Sequence, residues 1–150
     1  MWNFIWHLRG SMPLEEIVPD EEVLDRIERM LERERKPVTQ RSLNGVVFHA
    51  PLWGDAFGPN WLAMVIYDHG DLWIEQGPRG RILEYDLRSL HGFIFCLFAA
   101  AIFFVFGLAN GGAVGATKYA AFAFVWLYGM NMFLAWGRIP RLIRRAVEGA

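Results

Sequence analysis

The sequence predicts a small α+β cytoplasmic domain, made of a β-meander and one amphipathic helix, followed by an α-helical transmembrane hairpin of two spans. Between Arg88 and Arg138 the only charged side chain is Lys118. Helical and strand patterns precede this uncharged stretch, and a short arginine-rich segment follows it. We therefore divide the chain into a soluble domain at 1–88, a membrane segment at 89–137 and a basic amphipathic tail at 138–150.

The uncharged stretch is long enough for two helices that cross a membrane. Residues 90–109 are mostly apolar, and at about 1.5 Å per residue such a run spans a hydrocarbon core of about 30 Å. Asn110-Gly111-Gly112 favours a turn, because Gly and Asn are poor at continuing a helix. Residues 119–136 provide a second apolar run. We predict spans at about 90–109 and 119–136, joined by an outer loop at 110–118, since a chain of 150 residues could not bury both helices in a soluble core.

Arginine side chains flank the apolar stretch on both sides. Three precede it and four follow it: Arg79, Arg81 and Arg88, then Arg138, Arg141, Arg144 and Arg145. Segments rich in Lys and Arg next to membrane helices stay in the cytoplasm, and the predicted outer loop carries only Lys118. We therefore predict a multi-pass protein of a bacterial inner (plasma) membrane with both termini cytoplasmic.

The charge distribution restricts the classes of partner. Residues 1–88 carry ten Lys and Arg against fifteen Asp and Glu, a net charge of −5, and residues 89–150 carry five against one, a net charge of +4. An acidic soluble domain argues against nucleic-acid binding, which needs a basic surface. The single cysteine, Cys96, lies in the first predicted span, so no disulfide within the chain is expected.

The first forty residues predict one strand and one helix. Trp2, Phe4, Trp6 and Leu8 alternate with other residues, which is typical of a half-buried strand or of an aromatic anchor at the membrane interface; we favour the strand, ending at Gly10 to Pro13. A helix then begins with Asp20 as its predicted cap and stops at Pro37. Its apolar stripe is predicted from a helical spacing: Val23, Leu24, Ile27, Met30 and Leu31. Three pairs are spaced for ionic contact on its exposed side: Glu22–Arg26, Asp25–Arg29 and Glu32–Lys36.

Strands are predicted from Leu43 onward. Val46 to Phe48 is a short strand, and the runs 61–67 and 72–75 would form a hairpin about the turn Asp68-His69-Gly70-Asp71. Gly77-Pro78-Arg79-Gly80 predicts a further turn before a last strand at 82–87, which runs almost directly into the membrane segment. The sequence thus predicts a meander of about four strands, with the helix packed on it and the N-terminal strand added to it.

The turn at 68–71, with His49 and Asp55 nearby in sequence, also supplies candidate metal ligands. Asp68, His69 and Asp71, together with His49, could offer oxygen and nitrogen ligands to a divalent metal. Asp and Gly are equally the ordinary residues of a tight turn, and no paired-ligand spacing supports a metal. We favour the structural interpretation and predict no cofactor.

Three features point to contact with a partner or with the bilayer. The loop 51–60, rich in Pro and Gly, displays Trp53 and Phe57, which would cover the sheet, contact a partner or lie at the bilayer surface. Asn131 is a polar residue in an apolar helix and is expected either to pack within the hairpin or to mark an interface with another membrane subunit. In the tail, an apolar stripe alternates with Arg138, Arg141, Arg144 and Arg145, which predicts a helix lying against anionic lipid headgroups.

The leading functional hypothesis is a non-enzymatic accessory, assembly or scaffolding subunit of a larger membrane complex, or a homo-oligomer. It follows from the short connection between domain and membrane, and from the lack of a recognisable catalytic constellation. The alternative is a membrane-tethered enzyme or metal-dependent sensor that uses His49, Asp68, His69 and Asp71. A third hypothesis is a pore-forming, holin-like hairpin, although neither predicted span carries a polar stripe that would line water.

Overall fold

The computed structural model describes residues 5–55 and 61–150. Its elements are the strands β1 (His7–Pro13), β2 (Val38–Arg41), β3 (Gly45–His49), β4 (His69–Gly77) and β5 (Gly80–Arg88), the helices α1 (Asp20–Arg33) and α2 (Leu90–Glu148), and a 3-10 turn at Leu52–Asp55. Residues 2–4 of the predicted N-terminal strand, and Phe57 of the aromatic loop, lie outside the described residues.

The five strands form one antiparallel sheet in the order β1-β5-β4-β3-β2. Strands β2 to β5 form a meander, and β1 is added beside β5, with Leu8 opposite Leu87 and Met12 opposite Leu83. Residues 10–13 were predicted to end the first strand, but they continue it. Gly10 is needed within the strand because the ring of Tyr85 occupies the place of its missing side chain.

The predicted hairpin turn at 68–71 is wrong, since His69 to Asp71 belong to β4. Gly70 serves close packing instead: a side chain at this position would collide with Phe48 and Leu87. The turn that joins β4 to β5 is the one predicted at 77–80, where Gly80 has a φ of 115°. The predicted strand at 61–67 is also wrong: this segment forms turns that place Met64 and Tyr67 in the core.

Helix α1 packs its apolar stripe on the sheet, as predicted, and all five stripe residues are buried. Asp20 does not cap the helix. Pro19 occupies the cap position, and the Asp20 carboxylate accepts a hydrogen bond from the Arg81 guanidinium instead. The helix ends at Arg33, and Arg35 adopts a left-handed backbone with a φ of 57° ahead of Pro37.

The prediction of two separate transmembrane helices is wrong. Residues 90–148 form a single helical element, and the predicted outer loop at 110–118 is helical apart from Gly112. In the described part of the chain, one helix, α2, is long and apolar enough to cross a membrane. Asn110 and Gly111 are accommodated within it because Gly112 alone absorbs the change of chain direction.

Helix α2 is bent back on itself at Gly112, where φ is 71° and ψ is 178°. Only glycine adopts this backbone conformation without strain. On either side of the bend the two parts of α2 touch. A side chain on Gly107 would lie 2.7 Å from the Ala116 Cα, and the ring centroids of Phe93 and Phe124 are 5.4 Å apart. The bend therefore brings both ends of α2 to the sheet.

We expect Gly112→Ala to lower the free energy of unfolding by about 2 kcal/mol, because alanine must adopt a strained backbone conformation there. Gly111→Ala is the matched control: neither glycine has a neighbour within 4 Å of the added methyl group, and Gly111 has no positive φ. Chemical denaturation of the detergent-solubilised protein measures the difference. Equal stability of the two variants would contradict the role assigned to Gly112.

The core of the α+β part includes the C-terminal turns of α2. Ile139 and Ile143 are fully buried between the sheet and α1, and Ala135 is 4% exposed. Tyr67 is also fully buried, and its hydroxyl has no hydrogen-bond partner in the described part of the chain. Burial raises the pKa of Tyr67 far above its usual value, so this side chain stays neutral at physiological pH.

Candidate functional site: the junction of sheet and helix α2

The apolar surface of α2 is largely exposed. Its most apolar window has a mean hydropathy of 2.6 and is only 22% buried. Phe98 is 66% exposed, Phe106 67% and Phe122 69%. The core helix of a soluble protein would be mostly buried, and a contiguous exposed surface of large apolar side chains marks a site of membrane or protein contact.

A buried carboxylate joins the sheet to the start of α2. The side chain of Asp68 is fully buried and accepts hydrogen bonds from Arg88 Nε at 3.1 Å and Nη2 at 2.8 Å. Its other oxygen accepts a hydrogen bond from the backbone N–H of His91, in the first turn of α2, at 3.2 Å. A carboxylate at this position also stabilises the positive end of the helix dipole. Asp68 therefore fixes the direction in which α2 leaves the sheet.

A second buried contact ties the two parts of α2 together at the same level. The hydroxyl oxygens of Ser89 and Tyr128 lie in contact at 3.2 Å, and the Ser89 hydroxyl donates a hydrogen bond to the carbonyl of Trp6. The Tyr128 hydroxyl donates to the carbonyl of Ile5 at 2.7 Å. The Met132 sulfur lies 3.7 Å from the Ser89 hydroxyl. Ser89 and Met132 therefore lie where the bent helix α2 meets the sheet, and we call this place the junction.

Exposed aromatic side chains lie around this junction. Trp53 is 70% exposed, and its ring stacks on that of His91 at a centroid distance of 4.5 Å. Trp61 is 73% exposed, and its carbonyl accepts a hydrogen bond from Arg138. Tryptophan is enriched where hydrocarbon meets headgroups, because its ring is apolar and its N–H is polar. This arrangement fits a bilayer surface at the junction.

Asn131 lies close to the junction, one residue before Met132. Its side chain is exposed and donates a hydrogen bond to the carbonyl of Leu127 in its own helix at 2.7 Å. Within the described residues, its side chain makes no hydrogen bond to another element. The prediction that Asn131 contacts a partner stays a prediction.

The predicted basic tail continues α2. Its apolar stripe packs in the protein core through Ile139 and Ile143, so this side does not face lipid. The four arginines are exposed: Arg138, Arg141, Arg144 and Arg145. Arg138 is nearest to the junction, through its contact with Trp61.

The four metal-ligand candidates do not form one site. His49 and His69 lie side by side on the face of the sheet away from the core, with ring centroids 5.9 Å apart, and His69 Nε2 is 3.7 Å from an Asp71 oxygen. Asp68 is instead buried and paired with Arg88. Within residues 5–55 and 61–150, no group of three or more His, Cys, Asp or Glu side chains is arranged to hold a metal ion.

Sequence reasoning missed the roles of Asp68, Tyr128 and Trp61. Asp68 was assigned to a turn, although a carboxylate just before an apolar helix is itself a signal for a helix-start contact. The contacts of Tyr128 and Trp61 depend on the bend in α2, which no local pattern indicates. Comparisons with protein-family models, with curated proteins and with solved structures gave no match to this chain.

Proposed function

We propose that this protein is a non-enzymatic accessory or scaffolding subunit of a membrane complex. Its α2 helix is embedded in the bilayer, and its sheet and α1 lie at the membrane surface. The observation that carries the proposal is the exposed apolar surface of α2. Contact between water and many large apolar side chains, such as Phe106, is unfavourable, whereas a bilayer would cover them. The acidic α+β part and the basic C-terminal turns would then lie on one side of the bilayer, since both ends of α2 contact the α+β part, through His91 and Ile139.

The arginines set the proposed orientation. Arg138 is exposed beside the junction, where cations favour the cytoplasmic face of an inner (plasma) membrane. Each arginine close to anionic headgroups contributes about 1 kcal/mol to membrane attachment. Trp53 and Trp61 would lie at the same depth, which fixes how far the protein sits in the lipid.

The partner would bind at the junction rather than on the outer part of α2. Trp53 and Asn131 both offer exposed side chains near the headgroup level, where a second membrane subunit can contact lipid-facing and water-facing surfaces together. The rigid attachment through Asp68 holds these side chains in a fixed position relative to the bilayer. A scaffolding role requires such fixed geometry and no catalytic group.

Site-specific photocrosslinking tests the proposed function. A photoreactive residue at Asn131 or Trp53 is expected to give one discrete adduct with a second polypeptide, identified by mass spectrometry of the purified membrane complex. Ser11 is the control position, because it is exposed on β1 and remote from α2 in sequence. Adducts with lipid alone at both test positions, together with a monomeric mass in native mass spectrometry, would overturn the scaffolding role.

A further inference from the structure

We propose that the groove between α1 and the C-terminal turns of α2 binds a soluble, multiply charged phosphate anion. The groove has a volume of about 460 Å³. Leu142 and Ala146 line it, together with the arginines Arg29 and Arg33 of α1 and Arg145 of α2. These three arginines, together with Arg26, therefore border one concave surface between two helices.

Three of the four arginines that line the groove lack acidic partners, because the nearby carboxylates are engaged elsewhere; the fourth, Arg26, is paired with Glu22. Asp25, the expected partner of Arg29, instead binds Arg41 at 2.6 Å, and Glu28 binds the same guanidinium at 2.5 Å. Within the described residues, the side chains of Arg29, Arg33 and Arg145 form no hydrogen bond and no ion pair.

The two acidic side chains that line the groove also have partners of their own. Glu22 binds Arg26 at 2.6 Å, and a Glu34 oxygen accepts a hydrogen bond from the backbone N–H of Met64 at 3.1 Å. Like charges that face one another across a groove repel, and an anion between them removes that repulsion. Guanidinium groups match the geometry of phosphate oxygens, to which they donate two hydrogen bonds at once.

The walls of the groove are fixed before any ligand binds. Arg26 Nη1 donates a hydrogen bond to the Val147 carbonyl at 2.6 Å and so ties α1 to the end of α2. Ile139 and Ile143 anchor the same turns of α2 in the core. A preformed site binds more tightly, because binding does not require side chains and backbone to become ordered.

The position of the groove favours a soluble anion over a lipid headgroup. Arg145 lies thirteen residues beyond Met132, which marks the junction, and a helix of that length extends about 20 Å. The headgroup layer on each side of the hydrocarbon core is only about 5–8 Å thick. The preference for a soluble anion rests on the proposed membrane position of α2, whereas the position of the arginines along the groove does not.

Calorimetric titration with inorganic triphosphate tests the proposal on the full chain, in detergent and in nanodiscs of phosphatidylcholine. We expect saturable binding that weakens with added salt, and about tenfold weaker binding for Arg29→Gln and for Arg33→Gln, since each removes a charge-assisted hydrogen bond. Both arginines are exposed, so the variants are expected to fold. Arg79→Gln, on the exposed turn at 77–80, is the matched control and should bind like the parent protein.

Three outcomes would overturn the proposal. These are no binding of triphosphate in either medium, equal weakening by the control variant, and binding that is abolished when phosphatidylglycerol replaces phosphatidylcholine in the nanodiscs. The third outcome would assign the groove to lipid headgroups. The titration in detergent does not depend on a bilayer, so failure of the proposed membrane function would leave its result unchanged.

Discussion

Asp68→Ala is expected to lower the free energy of unfolding by about 3 kcal/mol, the largest effect that we predict for a single polar residue. The substitution leaves the half-buried Arg88 without its carboxylate, and removing one partner of a largely buried ion pair is destabilising. It also removes the acceptor for the backbone N–H of His91 in the first turn of α2. Chemical denaturation of the protein in detergent micelles measures the loss.

Asp71→Ala is the matched control for this experiment. Asp71 carries the same side chain in the same strand region, but it is 46% exposed and its nearest ionic contact is a long one, 3.7 Å to His69. We expect a change below about 0.5 kcal/mol, as for most surface substitutions. If the two variants lost the same stability, Asp68 would not hold the junction together.

Ile139→Ala is expected to be destabilising by a similar amount, about 3 kcal/mol. The side chain is fully buried between the sheet and α1, and truncation of a buried isoleucine removes apolar contacts and leaves a cavity. The effect distinguishes two views of the C-terminal segment. A helix that merely lies on a lipid surface would lose little folding stability, whereas a core element would lose much.

Arg141→Ala provides the comparison for Ile139, because Arg141 is exposed two residues further along the same helix. Alanine keeps the helical propensity, so its free energy of unfolding should stay close to that of the parent protein. Unfolding curves in the same detergent give both values. A stability loss at Arg141 that matched the loss at Ile139 would contradict the burial-based account.

Local sequence patterns correctly predicted the elements whose structure is determined by their own residues. The 3.6-residue period of Val23 to Leu31 gave α1 and its buried side, and the Gly-Pro-Arg-Gly turn gave the β4–β5 hairpin. Both signals are local: an apolar stripe must be covered, and Gly80 supplies the positive φ that this turn requires.

Other features of the fold depend on tertiary packing, and local sequence patterns do not predict them. Gly70 resembled a turn residue, but it is glycine because Phe48 and Leu87 fill the space beside it. Ile139 and Ile143 formed a visible stripe, yet the sequence does not show whether lipid or protein covers it. The bend at Gly112 depends on one residue within a continuous helix, where a loop of nine residues had been predicted.

The candidate functional site could also be predicted only in part from the sequence. Trp53 and the exposed arginines could be named from composition and position, because such residues near an apolar stretch indicate a membrane surface. Their arrangement about Asp68 and Tyr128 could not, since those contacts join residues that are far apart in the chain. The groove lined by arginines could not be predicted, because the sequence spacing pairs Asp25 with Arg29, whereas Asp25 binds Arg41 in the structure.

The position of α2 in a lipid bilayer is the central claim, and spin-label accessibility tests it most directly. In a Cys96→Ala background, a nitroxide is placed at Phe98 on the exposed apolar surface of α2, or at Ser11 on the sheet as the control. After reconstitution into liposomes, collision with molecular oxygen and with a water-soluble nickel complex is measured for each label. We predict that the label at Phe98 collides with oxygen but is shielded from the nickel complex, while the label at Ser11 shows the reverse. Equal access of the nickel complex to both labels would contradict the membrane position of α2.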